Sequence, residues 1–279
     1  MIAFVLLIFG GCLLYYVTEA RKMHYPTLIM TALSFVAIIL TSKRAHFLFT
    51  IIAFCVVYFV ANPRQTLRRG FILFAAVLLG AMALYFMSFH VSALRTLLMR
   101  FTTVGNDSQT RTRFKMWALA LDLFRKNPVM GIGWGGYKQV YAVELYQDWQ
   151  SAGAKYLNSH NTYLQLLCET GIVGFLIYLW AALGTLFTTC NALRYRRSLE
   201  TWRRKALYVS VVSQVFVLLY NLTGNTLYDY TIFMYSFTAM TGLAVLRGPC
   251  AGEALSREAA CPVHTGEGYP DVVMAESKV

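Results

Sequence analysis

Charge is what this chain has least of. Only 14% of its 279 residues are charged, against about 25% in a soluble domain. Hydrophobic residues make up 57%, and several apolar runs approach the ~20 residues that cross a bilayer as a helix. An ordinary soluble fold is thereby excluded, and an all-α polytopic membrane bundle is expected. No C-x-x-C pair occurs. The six cysteines, at positions 12, 55, 168, 190, 250 and 261, read as small hydrophobes, not as a disulfide frame or metal site. No Asp-x-Asp or paired carboxylate occurs either, which argues against a metal-dependent sugar-phosphate site. No basic residue precedes the apolar run that begins Met1-Ile2-Ala3, so no cleavable signal peptide is expected. Acidic residues are few, and the net charge is +12. In a soluble protein that would suggest nucleic acid. Here the charges lie mostly in loops and set topology, so no nucleic-acid partner is expected.

Seven candidate spans follow, at about 2–18, 25–42, 46–62, 70–88, 166–190, 205–222 and 226–246. Arg21 and Lys22, then Arg64, Arg68 and Arg69, then the cluster from Arg194 to Lys205 fall in alternate loops. The positive-inside rule makes those loops cytoplasmic. The N-terminus and the long 89–165 loop are then outside, and the C-terminus inside. The chain divides into N-terminal membrane helices (1–88), an outer loop (89–165), C-terminal membrane helices (166–246) and a tail (247–279). The tail is too poor in apolar residues to pack. An odd number of spans with an outside N-terminus suggests part of a longer membrane protein, lacking N-terminal helices.

The outer loop holds the chemistry. Within residues 109–126, Phe114, Trp117, Ala118, Leu121 and Phe124 recur at helical spacing, with Arg111, Lys115, Asp122, Arg125 and Lys126 among them. A helix lying on the membrane surface and a helix packed on the spans with a solvated charged face both fit. Asp107 or Ser108 can cap it, and Asn127-Pro128 ends it. Gly131-Ile-Gly133-Trp-Gly-Gly136 matches G-x-G-x-x-G. No strand precedes it, so a tight turn is expected instead of a dinucleotide site. His160-Asn161 then opens a helix that runs past Glu169 into the fifth span.

Cations outnumber anions on this outer side. Most suit a solvated basic surface, but an Arg fork also binds phosphate oxygens bidentately. A histidine near neutral pH can act as general base toward a hydroxyl. Arg plus His without a metal suits transfer of a group from a diphosphate carrier. For His160 itself, an interfacial histidine at the start of a helix fits equally well on these grounds.

Four short motifs resolve that tie. Arg113-x-x-x-Trp117, Pro128-x-x-Gly131-x-Gly133, His160-Asn161-x-x-Leu164 and Glu169-x-Gly171-x-x-Gly174 stand in the order of the O-antigen ligase and polymerase family, which the chain resembles. Ser42-Lys43-Arg44 is similar to the Ser-Arg motif of that family, with Lys43 interposed. The resemblance covers roughly 28–185. It implies a metal-independent membrane glycosyltransferase of lipopolysaccharide biosynthesis, without cofactor, in the bacterial inner membrane. The donor would be a glycan on undecaprenyl diphosphate. The acceptor would be the lipid A core for a ligase, or another lipid-linked glycan for a polymerase. By position, Arg44 and Arg113 would bind the diphosphate, with Arg111 substituting for or assisting Arg113, and His160 would activate the acceptor hydroxyl or orient it for attack on the anomeric carbon. Trp117, Gly131, Gly133, Asn161 and Glu169 would support them. The readings from other classes are a transporter, which would place ionisable groups at mid-bilayer, and an inactive membrane fragment.

Overall fold

The computed structural model describes residues 2–41, 43–61, 70, 79–80, 82, 85–92, 94–96, 99, 108–144, 158–196, 198–229 and 231–246. Most of the expected fourth span, the Arg64–Arg69 charges, Asp107 and the 247–279 tail lie outside these residues, as do the side chains of Arg44 and Ser108.

The described residues are helical, without strands. Helix α1 (Ile2–Tyr15) continues into a π-helical turn (Tyr16–Ala20); α2 is Tyr25–Leu40 and α3 Arg44–Val60. The segment between the two groups of apolar helices supplies α4 (Ser108–Lys126) and α5 (Gly136–Glu144). Then come α6 (Thr162–Tyr195), α7 (Thr201–Tyr220), a 3₁₀ turn (Thr226–Tyr228) and α8 (Thr231–Ala244). Residues Ile2–Ala20 and Thr162–Tyr195 are long and apolar enough to cross a membrane; Tyr25–Leu40 and Ala45–Val60 are apolar but shorter.

Helix α7 is the hub, packing against α1, α3, α6 and α8. From Ser210 to Val217 every residue is buried. Its core neighbours are Leu6 and Leu7 of α1, Ala53 and Val57 of α3, and Leu193 of α6. Gly11 lets α1 approach closely, since a β-carbon there would stand 2.8 Å from the Val209 backbone. Neutral side chains cross-link the middle: Gln214 donates to Thr189 (3.1 Å) and Ser210 (3.0 Å). The outward faces stay apolar: Ile29, Leu33 and Val36 on α2, Ile177, Trp180, Leu183 and Phe187 on α6, and Phe233, Phe237 and Met240 on α8 are exposed. Such broad apolar surface on several helices calls for lipid.

Contacts at the two ends sort the loops. At one end Arg204 pairs with Glu19, and Nη1 of Arg204 donates to the carbonyls of Leu193 (3.0 Å) and Arg196 (3.3 Å), otherwise orphaned at the end of α6. Arg196 reaches Leu246 O at 2.9 Å. At the other end Tyr220 lies against His46, with ring centroids 4.5 Å apart and planes tilted by 58°, and the 221–226 turn binds the start of α6. Among the described residues, the ends of the 16–20 turn, α6 and α8 and the start of α7 therefore meet at one end of the bundle.

Helix α4 packs by a stripe that only partly matches the one read in sequence: Trp117 and Phe124 lean on its core, but the centre lies elsewhere. Met116, Ala120 and Leu123 are the buried residues of α4, joined by Tyr137, Tyr141 and Cys168 in a separate small core. Phe114, Ala118 and Leu121 are exposed. Both stripes have helical spacing, and contact with α6 selects the first.

Candidate active site

The H-N-x-x-L motif is a helix start. Asn161 caps α6, its Oδ1 accepting the Leu164 amide at 3.1 Å. His160, just before the cap, has φ +55°, a left-handed conformation uncommon outside glycine. Its neighbours hold it there. Ser159 N donates to Gln165 Oε1 at 2.9 Å, Asn161 N donates to Ser159 Oγ at 3.2 Å, and Gln165 Nε2 donates to Asn158 Oδ1 at 3.0 Å. From the other side, Thr162 N donates to Asn221 O (2.9 Å) and Gly224 O (3.0 Å), and Thr226 N donates to Thr162 Oγ1 (3.1 Å). The loop carrying His160 is thus fastened both to its own helix and to the turn after α7.

Glu169 anchors the second layer. It is 1% exposed and accepts three bonds: from Gln165 Nε2 (3.1 Å), Tyr137 N (3.3 Å) and the Tyr228 hydroxyl (2.5 Å). One carboxylate therefore ties together α6, the start of α5 and the 3₁₀ turn. Burial, then the hydrogen bond and charge of Glu169, push the Tyr228 hydroxyl far above its ordinary pKa, so Tyr228 acts as a donor.

The two glycine motifs fit into each other. Ile132 N donates to Cys168 O (3.0 Å), Gly133 N to Glu169 O (2.9 Å) and Ile172 N to Pro128 O (2.9 Å). A β-carbon on Gly131 would stand 2.4 Å from Glu169 O. Gly171 (φ 64°, ψ −169°) breaks α6 where the Pro128–Gly133 turn docks. The expected tight turn is present, and it is this kink that makes room for it.

The charge of Arg113 is felt at His160. The imidazole is held below its ordinary pKa first by burial and second by the Arg113 charge, so it is neutral at pH 7. Trp117 lies one turn beyond Arg113 on the same helix face. Its Nε1 is buried without a hydrogen-bond partner among the described residues, and its ring packs edge-on to Phe114 at 5.3 Å. Arg111 is exposed and sits about 200° round the helix from Arg113. The two arginines therefore do not share a face. The backbone of Arg44 opens α3 at the same end of the bundle, two residues before His46.

The sequence pattern described as O-Antigen ligase matches residues 29–179, more than half of the chain. The chain belongs to the O-antigen ligase family. Members of the O-antigen ligase family are integral membrane, glycosyltransferase-like enzymes of lipopolysaccharide biosynthesis, working on lipid-linked glycan and acceptor substrates. No curated protein matches the chain. The matched segment contains Arg44, the Arg113–Trp117 helix, the glycine turn, His160 and the α6 kink. Sequence reading left Gln165, Tyr137, Trp134 and Tyr228 without roles. The i, i+4 spacing of Gln165 and Glu169 signals that pair. Nothing local signals Tyr228, which lies 59 residues from Glu169.

Proposed function

We propose that this chain transfers a glycan from an undecaprenyl-diphosphate carrier to an acceptor hydroxyl at the periplasmic face of the bacterial inner membrane, as an O-antigen ligase with the lipid A core as acceptor. The observation that carries the reading is the His160 loop, hydrogen-bonded in place through Ser159, Asn161 and Gln165. It holds His160 at a left-handed backbone position, within the field of the Arg113 charge. Strain of this kind concentrates at functional sites.

The acceptor oxygen attacks the anomeric carbon while its proton passes to the imidazole. The bond from that carbon to the phosphate oxygen breaks, and undecaprenyl diphosphate leaves with the electron pair. Inversion at the anomeric carbon is the expected outcome of one displacement. Arg113 meets the charge developing on the leaving diphosphate, a role in which one positioned donor is worth about 10²–10³ in rate. Trp117 Nε1, on the same face, offers a further donor. Arg44 would add a second guanidinium from the start of α3. Arg111, exposed on another face, would steer the anionic carrier without touching it. The cationic stabilisation a metal provides elsewhere would come from these side chains. A transporter is disfavoured by the neutral cross-links at mid-bundle. Asp229, the one acid near the end of the last span, accepts from Thr231 N at 2.8 Å and caps α8.

The test is a lipopolysaccharide gel of the source bacterium carrying His160→Asn, beside wild type and a deletion. Asparagine tolerates the left-handed backbone and removes the base. Loss of the long ladder, with bare core and polymer retained on its carrier, is expected. Core bearing a single repeat would identify a polymerase instead. An unchanged ladder in His160→Asn and in the deletion would sink the lipopolysaccharide role.

A further inference from the structure

The glycine turn raises one large side chain that the transfer step does not use. Trp134 is 62% exposed and stands between Gly133 and Gly135, at φ +95° and +80°. A β-carbon on either glycine would meet nothing within 4 Å. The glycines there serve conformation, and the space flanking the indole is open. Yet the indole is not loose. It stacks on Tyr228, with ring centroids 4.8 Å apart and planes 18° from parallel. Tyr228 donates to Glu169, Glu169 accepts from Gln165, and Gln165 accepts the amide of Ser159, the residue before His160. Trp134 is therefore oriented by the same chain of hydrogen bonds that fixes His160. The ammonium of Lys138 lies 6.0 Å from the Tyr228 ring centroid.

We propose that Trp134 is a stacking platform for a pyranose ring of the glycan substrate. The proposal rests on the glycan-transfer reading and names a binding element of the same site. A pyranose presents a face of C–H bonds carrying slight positive charge. An aromatic face carries the complementary negative charge of its quadrupole, and tryptophan offers the strongest such face. Stacking of this kind needs a broad ring with one free face and a fixed plane. Tyr228 fixes the plane by occupying one face and leaves the other open. A tryptophan serving only to anchor the protein at the lipid boundary needs neither a fixed plane nor a link to the catalytic loop.

The experiment is calorimetric titration of the full chain in detergent micelles with two lipid-free probes. These are the core oligosaccharide and the O-chain polysaccharide, each released by mild acid from lipopolysaccharide of the source bacterium. Wild type should bind one of them, and which one assigns the platform to the acceptor or the donor side. Trp134→Ala should weaken that affinity by about tenfold, the order expected for losing one aromatic stack. Trp134→Phe should stay within about threefold of wild type. Trp180→Ala, on the apolar outward face of α6, should bind as wild type does. Lipid anchoring cannot produce these differences, because neither probe carries lipid. Equal affinity in wild type and Trp134→Ala, or no binding of either probe by wild type, overturns the platform. The lipopolysaccharide gel of His160→Asn keeps the two readings apart. A lost ladder with unaltered binding by Trp134→Ala sinks the platform alone. A retained ladder with weakened binding by Trp134→Ala sinks the transfer step alone.

Discussion

Gly171 packs directly onto the backbone of Val129: a β-carbon at 171 would stand 2.1 Å from the Val129 carbonyl oxygen. The same glycine has φ +64° and ψ −169°, a region essentially reserved for glycine. Two independent obstacles therefore meet any side chain at this kink. Gly171→Ala should cost about 1–3 kcal/mol from backbone strain alone, with the steric clash in addition. Thermal unfolding in detergent should show a clearly lowered midpoint and reduced protein in membranes. Gly184→Ala, in the same helix with open space around it, should leave the midpoint unchanged or slightly raised, as removing a helical glycine does. Equal midpoints for both variants would contradict the packing described for the kink.

Glu169 and Tyr228 supply the second prediction. Glu169 acts only as acceptor, toward three donors. Glu169→Gln keeps one acceptor for Gln165 and Tyr137 but turns the other position into a donor, so the Tyr228 hydroxyl must reverse and all three bonds lose the carboxylate charge, a cost of about 1–3 kcal/mol. Tyr228→Phe removes one bond and should cost less. Because Gln165 links Glu169 to the His160 loop, Glu169→Gln should lower kcat more than it raises KM. A double-mutant cycle should give a coupling of about 0.5–3 kcal/mol, as contacting residues do. Additive effects would mean that the hydroxyl and the carboxylate act separately.

Much of this arrangement was legible in one dimension, and the unread part has a physical reason. Apolar runs revealed helices, and His160-Asn161-x-x-Leu164 marked a helix start because an Asn cap needs only local geometry. The burial of α7 was not legible. A lipid-facing helix and a helix surrounded by other helices are both apolar, so Ser210–Val217 read as an ordinary span. The buried stripe of α4 was read only in part for a related reason: Trp117 and Phe124 do pack on its core, but Phe114-Ala118-Leu121 and Met116-Ala120-Leu123 have the same period, and only α6 selects the second. The mutual fit of Gly131 and Gly171 joins motifs forty residues apart, and their order in the chain implies nothing about contact.

The opposite end of the bundle gives a third expectation. Arg204 is 2% exposed, and its charge is answered by Glu19, with Nε donating to Oε2 at 2.9 Å. Glu19 keeps some contact with solvent and Arg204 also donates to backbone carbonyls, so losing the carboxylate should cost about 1–3 kcal/mol, as for a buried donor left without its charged acceptor. Glu19→Ala should therefore destabilise the protein, since α1 is held to α7 at this point. Arg204→Met in the Glu19→Ala background should restore part of the loss, measured by unfolding midpoint. A single Glu19→Ala variant as stable as wild type would show that solvent, not Glu19, satisfies Arg204.

The pH dependence of transfer follows from the relation of His160 to Arg113. Burial and the guanidinium both lower the imidazole pKa below its usual value near 6.5. A base must be neutral to accept a proton, so kcat/KM should be flat at neutral pH and fall only in acid, below 6.5. Arg113→Gln removes the second of the two causes. Its acid limb should move toward higher pH, while its rate at the plateau falls by about 10²–10³, as for other lost charge-stabilising groups. Arg113→Lys should keep the limb near the wild-type position. Arg111→Ala should leave the limb in place and change the rate by less than about threefold, more at low salt than at high salt. Stability has the same sign. The folded pKa is depressed, so the contribution of His160 is fully present above about 6.5 and declines as pH falls from there toward the folded pKa. An acid limb that stays fixed in Arg113→Gln would mean that Arg113 does not act on His160, and the paired role of these two residues in transfer would fail with it.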